Sequence, residues 1–293
     1  MLDVLELGAE GWRHNGEPWV PQRPFYGVLG DPVAHSLSPN MHNAALRERE
    51  IDAEYLAIRM EAGMLRQLKE GEASTLLAGF NVTAPLKEAV AALCDGRTDQ
   101  ARDIGAVNTV RIEDGKWLGH NTDSGGISTV LAEAWQGEGL PAKAIVLGAG
   151  GSARAAVEAV VQWEVPQVEI RNRSAAGRQR IGQWLKRRGL AGSVTVGPLN
   201  DADGSVPDSS TLWICCLAAG VDVMPFLPVA AGREAALLMD LRYGDQLPSG
   251  NPPLGFSFLD GLPVLLMQGG LAFAWWFGPP VPWSVMRDAL ATG

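Results

Sequence analysis

Lys87 closes the run Gly79-Phe80-Asn81-Val82-Thr83-Ala84-Pro85-Leu86-Lys87, which gathers an amide, a hydroxyl and an ammonium group into one short segment. Such groups can hold a hydroxylated small molecule, and Pro85 restricts the backbone between them. Further polar clusters follow at Asn108-Thr109 and at Asn121-Thr122-Asp123. Next comes a glycine-rich turn, Gly148-Ala149-Gly150-Gly151-Ser152-Ala153, of the kind that admits a dinucleotide pyrophosphate. Hydroxyl-binding groups upstream of a dinucleotide turn point to alcohol–ketone redox chemistry. That reaction needs a hydride acceptor at carbon and a proton acceptor at oxygen. Lys87 can take that proton, although taken alone it reads better as a surface lysine at a helix start.

The turn has the surroundings that a lone glycine motif lacks. Gly148, Gly150 and Ala153 fit G-x-G-x-x-A between an expected strand, Ala144–Leu147, and an expected helix, Ser152–Gln162. The first glycine allows the tight turn, the second lets the pyrophosphate approach, and Ala153 lets helix and strand pack closely. Gly151 adds room, and the helix amino terminus favours negative charge. At the end of the following strand, Val168–Arg171, a free ribose is usually met by Asp or Glu. This chain has Asn172-Arg173-Ser174, a cation and a hydroxyl suited to a 2′-phosphate, with Glu169 set back inside the strand. NADP is therefore expected over NAD.

Alternating elements must position these groups. The first 24 or so residues show no clear period and read as an irregular lead-in packing through Trp12 and Trp19. A strand is expected at Phe25–Gly30, then a helix at about Asn40–Glu50 with Ser38 as its cap and Pro39 as its first residue. Ser36 and Ser38 alternate, so in extended backbone their hydroxyls face one way and can grip a carboxylate; capping is the competing use of Ser38. Strands at Glu54–Arg59 and Leu77–Val82 alternate with helices at Glu61–Lys69 and Leu86–Cys94. Val107–Ile112 and Trp117–Gly119 read as strands around a Glu113-Asp114-Gly115 turn, and Gly125–Trp135 as a helix leading to the second half. Beyond a polar junction at Gln136–Pro141 and the βαβ unit lie a helix at Arg178–Arg188 and strands at Leu212–Leu217 and Ala236–Leu241. A helix at Leu271–Trp276 follows.

The bulk properties exclude several classes. A net charge of −9 argues against general nucleic-acid binding. Cys94, Cys215 and Cys216 have no metal-knuckle or disulfide-framework spacing, and the four histidines form no cluster. His120 is expected to shape the site, and His35 and His42 to pack or hydrogen-bond locally. The amino terminus lacks the basic start of a signal peptide, and Gln268 interrupts the apolar stretch Pro263–Phe277, short of a membrane span. A cytoplasmic location, a small-molecule substrate, no metal, no nucleic acid and no membrane are expected. A homodimer is compatible with the sequence.

From about Tyr26 to Phe277 the chain resembles the shikimate dehydrogenase family, including its quinate-using relatives. The resemblance rests on Gly30-Asp31-Pro32-Val33-Ala34-His35-Ser36-Leu37-Ser38-Pro39, the Asn81–Lys87 run, Gly105-Ala106-Val107-Asn108-Thr109 and Gly119-His120-Asn121-Thr122-Asp123. The cofactor turn, Asp240-Leu241-Arg242-Tyr243 and Gln268-Gly269-Gly270 complete it. It implies an α/β fold with a Rossmann-type nucleotide domain, 124–261, and an α/β substrate-binding catalytic domain, 1–123 with 262–293. It further implies that Ser36 and Ser38, helped by Tyr243, hold a ring carboxylate. Thr83, Asn108, Asp123 and Gln268 would meet ring hydroxyls, with Lys87 at the reacting one. Gly148, Gly150, Gly151, Ser152, Ala153, Asn172, Arg173, Ser174, Leu241 and Gly261 would bind NADP. Three stretches depart from the family pattern: Cys215-Cys216-Leu217 replaces a polar Asn-Ala-Thr type loop, Gly177 stands where a basic residue is common, and Gly244-Asp245 replaces an Asn-Pro turn. NADP-linked shikimate oxidation is thus the leading expectation. A dehydrogenase of quinate or another cyclic hydroxy-acid, and a non-catalytic dinucleotide-binding regulator, are the alternatives.

Overall fold

The computed structural model describes residues 4–8, 11–71, 76–200, 210–228, 236–248 and 255–291. The chain divides into two units, Met1–Thr122 with Leu265–Gly293, and Asp123–Val264.

The first unit is built on β1 (Val4–Gly8), β2 (Gly11–His14), β3 (Glu17–Pro18), β4 (Phe25–Gly30), α1 (Ser38–Glu48), β5 (Glu54–Arg59) and α2 (Leu65–Glu70). It continues through β6 (Leu77–Val82), α3 (Lys87–Leu93), β7 (Gly96–Arg97), α4 (Asp99–Ile104), β8 (Thr109–Glu113) and β9 (Lys116–His120). These strands form one sheet in the order β3-β2-β1-β5-β4-β6-β8-β9-β7. Strands β1, β5, β4 and β6 run parallel, whereas β6, β8 and β9 are antiparallel neighbours. The buried side chains of Phe25, Leu29, Ile58, Phe80, Val110 and Trp117 fill its core.

The lead-in is not irregular. β1 pairs with β5 and turns back through β2 and β3, extending the sheet. The signal was the alternation in Val4–Gly8, where Leu5 and Leu7 face inward and Glu6 outward. Its brevity and the surrounding Gly, Trp and Pro hid it. Trp12 and Trp19 do pack, both edge-on to Phe25, with ring centroids at 5.7 and 5.3 Å.

The start of α1 also differs from expectation. Leu37 holds the cap position with helical dihedrals (φ −83°, ψ −3°), so Ser38 lies inside the first turn and is not the cap. The Ser38 amide donates to Ser36 Oγ at 3.3 Å. The segment is a turn rather than a strand, so strict alternation does not describe the two serines.

The second unit contains α5 (Asp123–Ala134), β10 (Lys143–Leu147), α6 (Gly151–Gln162), β11 (Gln167–Asn172), α7 (Ala175–Arg187), β12 (Val194–Pro198), β13 (Thr211–Cys215), β14 (Ala236–Asp240) and β15 (Phe256–Leu259). Its sheet is parallel in the order β12-β11-β10-β13-β14-β15. The strand order reverses between β10 and β13, and in open sheets of this kind ligands bind at the carboxyl ends beside that switch point. The α6 residues Ala153, Ala155, Ala156 and Ala159 are fully buried, small enough for the helix to lie close on the sheet.

The chain returns to the first unit along α8 (Leu262–Phe277) and ends in α9 (Trp283–Ala291). Helix α8 begins well before the expected Leu271, because its paired glycines are contact points rather than breaks. A Cβ at Gly269 would run into the Met41 side chain of α1, and one at Gly270 into the Trp283 ring.

Candidate active site

The polar clusters of the first unit converge on Asn108, which is 2% exposed just before β8. Its Nδ2 donates to Thr122 Oγ1 at 2.9 Å and to Gln268 Oε1 at 3.2 Å. Its Oδ1 accepts from the Thr122 amide at 2.8 Å and from Thr109 Oγ1 at 2.9 Å. Asn81 supports the group from β6, its Nδ2 donating to Asn108 O at 3.2 Å and Thr109 Oγ1 at 3.0 Å. Tyr55 Oη in turn donates to Asn81 Oδ1 at 2.7 Å. Gln268 is fixed from its own helix, Nε2 donating to Leu265 O at 3.0 Å. Four distant sequence motifs, those of Asn81, Asn108-Thr109, Thr122 and Gln268, therefore form one hydrogen-bonded array.

Lys87 is half-buried at the first position of α3. Its carbonyl accepts from the Val107 amide at 3.0 Å, which ties the helix start to the segment leading into Asn108. Thr83 is half-buried at the end of β6, its amide donating to Leu29 O at 2.9 Å and its carbonyl accepting from the Leu86 amide at 3.0 Å. Gly30 is needed opposite, because a Cβ there would collide with the Thr83 methyl group. Ser36 and Ser38 are 7% and 4% exposed in the turn before α1. His120 hydrogen-bonds through Nδ1 to Thr98 Oγ1 at 2.9 Å and packs on Trp275, and burial pulls its pKa down. Its surroundings make it part of the scaffold.

In the second unit, Gly148 has φ +126°, and a Cβ on it would come within 2.8 Å of Cys216 O. The turn is pinned by Gly148 N donating to Arg171 O and Cys216 N donating to Leu147 O, each at 2.8 Å. Gly150 occupies the cap position of α6 with no side-chain hydrogen bond, and a Cβ there would meet nothing within 4 Å. Space in front of uncapped helix amides suits a pyrophosphate. Gly151 and Ser152 open the helix half-buried, and Ala153 is fully buried behind them.

The loop after β11 is organised by its own side chains. Ser174 caps α7, its Oγ accepting from the Gly177 amide at 3.1 Å, and Asn172 Nδ2 donates to Ser174 O at 3.2 Å. Gly177 is required because a Cβ would strike the Asn172 amide. Arg178 Nη1 donates to the carbonyls of Asn172 and Arg173 at 2.9 and 2.8 Å, bringing a second cation to this loop. Arg173 itself is exposed, with no carboxylate partner among the described residues. Glu169 is held by Arg171 and Lys143, each at 2.7 Å. Burial pushes its carboxyl up, but these two cations more than offset that and keep it below the usual range.

Leu241 and Gly261 adjoin one another at the end of β14. Leu241 N donates to Cys215 O at 3.0 Å, Gly261 N donates to Arg242 O at 2.9 Å, and a Cβ on Gly261 would collide with Leu241 O. Tyr243 follows in extended conformation before a 3₁₀ turn at Gly244–Gln246. Asp123, 8% exposed, is the first residue of α5. Asp123 and Tyr243 belong to the second unit, whereas Lys87, Asn108, Gln268, Thr83 and the serines belong to the first.

Sequence reasoning missed Tyr55 and Arg242. A phenol next to Leu56, Ala57 and Ile58 in the strand Glu54–Arg59 was a usable signal, since buried tyrosine hydroxyls generally find partners. Arg242, beside Asp240 in a buried strand end, was another. Among the described residues there is no group of side chains suited to a metal ion, and no helix long and apolar enough to cross a membrane.

This combination defines a two-unit α/β protein with a Rossmann-type unit and a second α/β unit carrying a hydrogen-bonded polar array around the buried Asn108. Residues 28–110 match the shikimate dehydrogenase substrate binding domain family. The chain is 35% identical over 269 residues to the shikimate dehydrogenase (NADP(+)) of Magnetococcus marinus, covering 90% of this chain and 94% of that protein. It therefore belongs to the shikimate dehydrogenase family. Shikimate 5-dehydrogenase from Thermus thermophilus, solved in complex with NADP(H) and shikimate, is similar with a TM-score of 0.68 and 30% identity, covering 92% of this chain and 99% of that one. The ligand-free 5-ketofructose reductase of Gluconobacter sp. strain CHM43 is similar with a TM-score of 0.73 and 26% identity, again covering 92% and 99%.

Proposed function

We propose that this protein catalyses reversible hydride transfer between shikimate and 3-dehydroshikimate with NADP as the cofactor. In this reading the first unit, completed by its carboxyl-terminal helices, holds the substrate, and the second holds NADP. The observation that carries the reading is the array joining buried Asn108 and Thr122 to the half-buried Gln268, beside the helix start bearing Lys87, in a chain that also has an open, uncapped glycine turn.

NADP, when bound, supplies the hydride acceptor, held by Gly148, Gly150, Gly151, Ser152, Ala153, Leu241 and Gly261. Arg173, with Asn172, Ser174 and Arg178 around it, takes the 2′-phosphate. Lys87 Nζ accepts the proton of the reacting hydroxyl during oxidation and returns it during reduction, and Asp123 orients the lysine. Thr83, Asn108 and Gln268 bind the other hydroxyls. Both Nδ2 hydrogens of Asn108 already have acceptors, so a substrate hydroxyl there would share or replace the Gln268 bond. Ser36 Oγ already accepts the Ser38 amide, which favours use of its O–H as a donor to the ring carboxylate, alongside Ser38 and Tyr243.

The carboxylate grip separates this reading from a sugar reductase, because 5-ketofructose has no carboxylate for two serines to hold. Three free thiols fit a reducing cytoplasm. The test is a panel of initial rates: NADP and NAD reduction with shikimate and with quinate, and NADPH oxidation with 5-ketofructose. The highest kcat/KM is expected for shikimate with NADP. Quinate as the better acid would move the substrate assignment within the family, and turnover of 5-ketofructose alone would overturn it.

A further inference from the structure

The loop that follows β13, residues 216–221, starts against the cofactor turn. Cys216 N donates to Leu147 O, and the Cys216 carbonyl is the group that excludes a side chain from Gly148. It therefore borders the switch point between β10 and β13, where a dinucleotide is expected in an open parallel sheet. Yet Cys216, Leu217, Ala218, Ala219 and Gly220 bring no strong polar side chain with which to fix the shape of the loop.

The loop is closed by the Val221 amide donating to Ala218 O at 3.3 Å, and a guanidinium braces it from behind. Arg242, 4% exposed, forks onto Asp240, with Nε donating to Oδ1 at 2.9 Å and Nη2 to Oδ2 at 2.6 Å. The Arg242 amide also donates to Asp240 Oδ1 at 3.0 Å. Nη1 then reaches across to the loop, donating to Ala218 O at 3.2 Å and Val221 O at 2.6 Å, while Nη2 lies 3.5 Å from Cys215 Sγ. Only arginine, with its planar array of donors, can serve a carboxylate bidentately and two carbonyls together.

We propose that Arg242 is a positioning residue for the cofactor: anchored on Asp240 at the end of β14, it sets the wall of the dinucleotide crevice formed by residues 216–221. This rests on the assignment of NADP to the second unit. Arg242→Lys keeps a cation against Asp240 but cannot reach both carbonyls, so the loop is released without leaving a lone buried charge. Asp240→Leu/Arg242→Met removes both charges and releases the loop by another route.

The test measures NADPH affinity by fluorescence on the intact protein, the KM values for NADP and shikimate, kcat, and the unfolding midpoint. If Arg242→Lys does not fold, the double variant supplies the same readings. NADPH affinity in the folded variant should fall on the order of tenfold or more, the scale on which small misplacements act, with the KM for shikimate little changed. A folded variant of lower stability with parental NADPH affinity and kcat would make the pair purely structural and overturn the proposal. A parent that binds no NADPH would overturn both this inference and the cofactor assignment. A parent that binds NADPH without oxidising shikimate would overturn only the substrate assignment, and the affinity comparison would still decide the role of Arg242.

Discussion

Tyr55→Phe isolates one hydrogen bond of the array around Asn108. The ring is 1% exposed and stacks on His42 at 4.3 Å with an interplanar angle of 12°, contacts that phenylalanine retains. Only the hydroxyl is lost, and with it the 2.7 Å bond to Asn81 Oδ1. Asn81 is 5% exposed, so its carbonyl oxygen would stay buried without that donor. Leaving such an acceptor unsatisfied costs about 1–3 kcal/mol, or about 5- to 150-fold in the unfolding equilibrium. Denaturant unfolding should therefore show a lower midpoint at unchanged slope. A double-mutant cycle with Asn81→Ala should return a coupling of about 1 kcal/mol, because each substitution removes the same bond. The KM for shikimate should rise as well, since Asn81 also holds the Asn108 carbonyl. A Tyr55→Phe protein within about 0.3 kcal/mol of the parent and additive with Asn81→Ala would refute the idea that this chain of bonds is taut.

Other expectations follow from the same geometry. Arg173→Ala should raise the KM for NADP by roughly 10- to 100-fold, the worth of a charge-assisted phosphate contact, and leave the KM for NAD unchanged; equal effects on both cofactors would count against the 2′-phosphate assignment. His42 is fully buried among Tyr55, Phe273 and Trp276, and desolvation lowers its pKa from 6.5 to about 3. The unfolded chain takes up this proton near pH 6.5 and the folded chain does not. Stability from this group is thus complete above that pH and is lost as pH falls towards 3, by about 1.4 kcal/mol per unit. Between pH 7.5 and 5 the parent should lose about 2 kcal/mol more than His42→Phe; parallel pH profiles would show that the ring is not kept neutral.

The parts legible in the sequence were those with a local cause. The glycine turn announced itself because G-x-G-x-x-A sits between an apolar strand and an alanine-rich helix, and β5 and β6 were bounded by their own apolar patterns. The Ser36–Ser38 geometry was misjudged because one helical residue, Leu37, converts an apparent extended pair into a turn. β12 and β15 escaped notice: the first carries Gly197 and Pro198, and the second is four residues long, so tertiary pairing rather than propensity makes them strands. The hydrogen-bond array itself was only partly visible. Asn108 and Thr122 could be picked out in polar clusters and Gln268 as a polar break in an apolar stretch, but their meeting depends on α8 seating its glycines against Met41 and Trp283.

The most direct test of the catalytic account is Lys87→Ala, with turnover and cofactor binding measured on the same preparation. NADP reduction by shikimate should fall by about 10²- to 10⁴-fold in kcat, the usual contribution of a positioned proton acceptor, while NADPH affinity stays at the parental value. A Lys87→Ala protein that oxidises shikimate within a few-fold of the parental rate would contradict the assignment of Lys87 as the acid–base group.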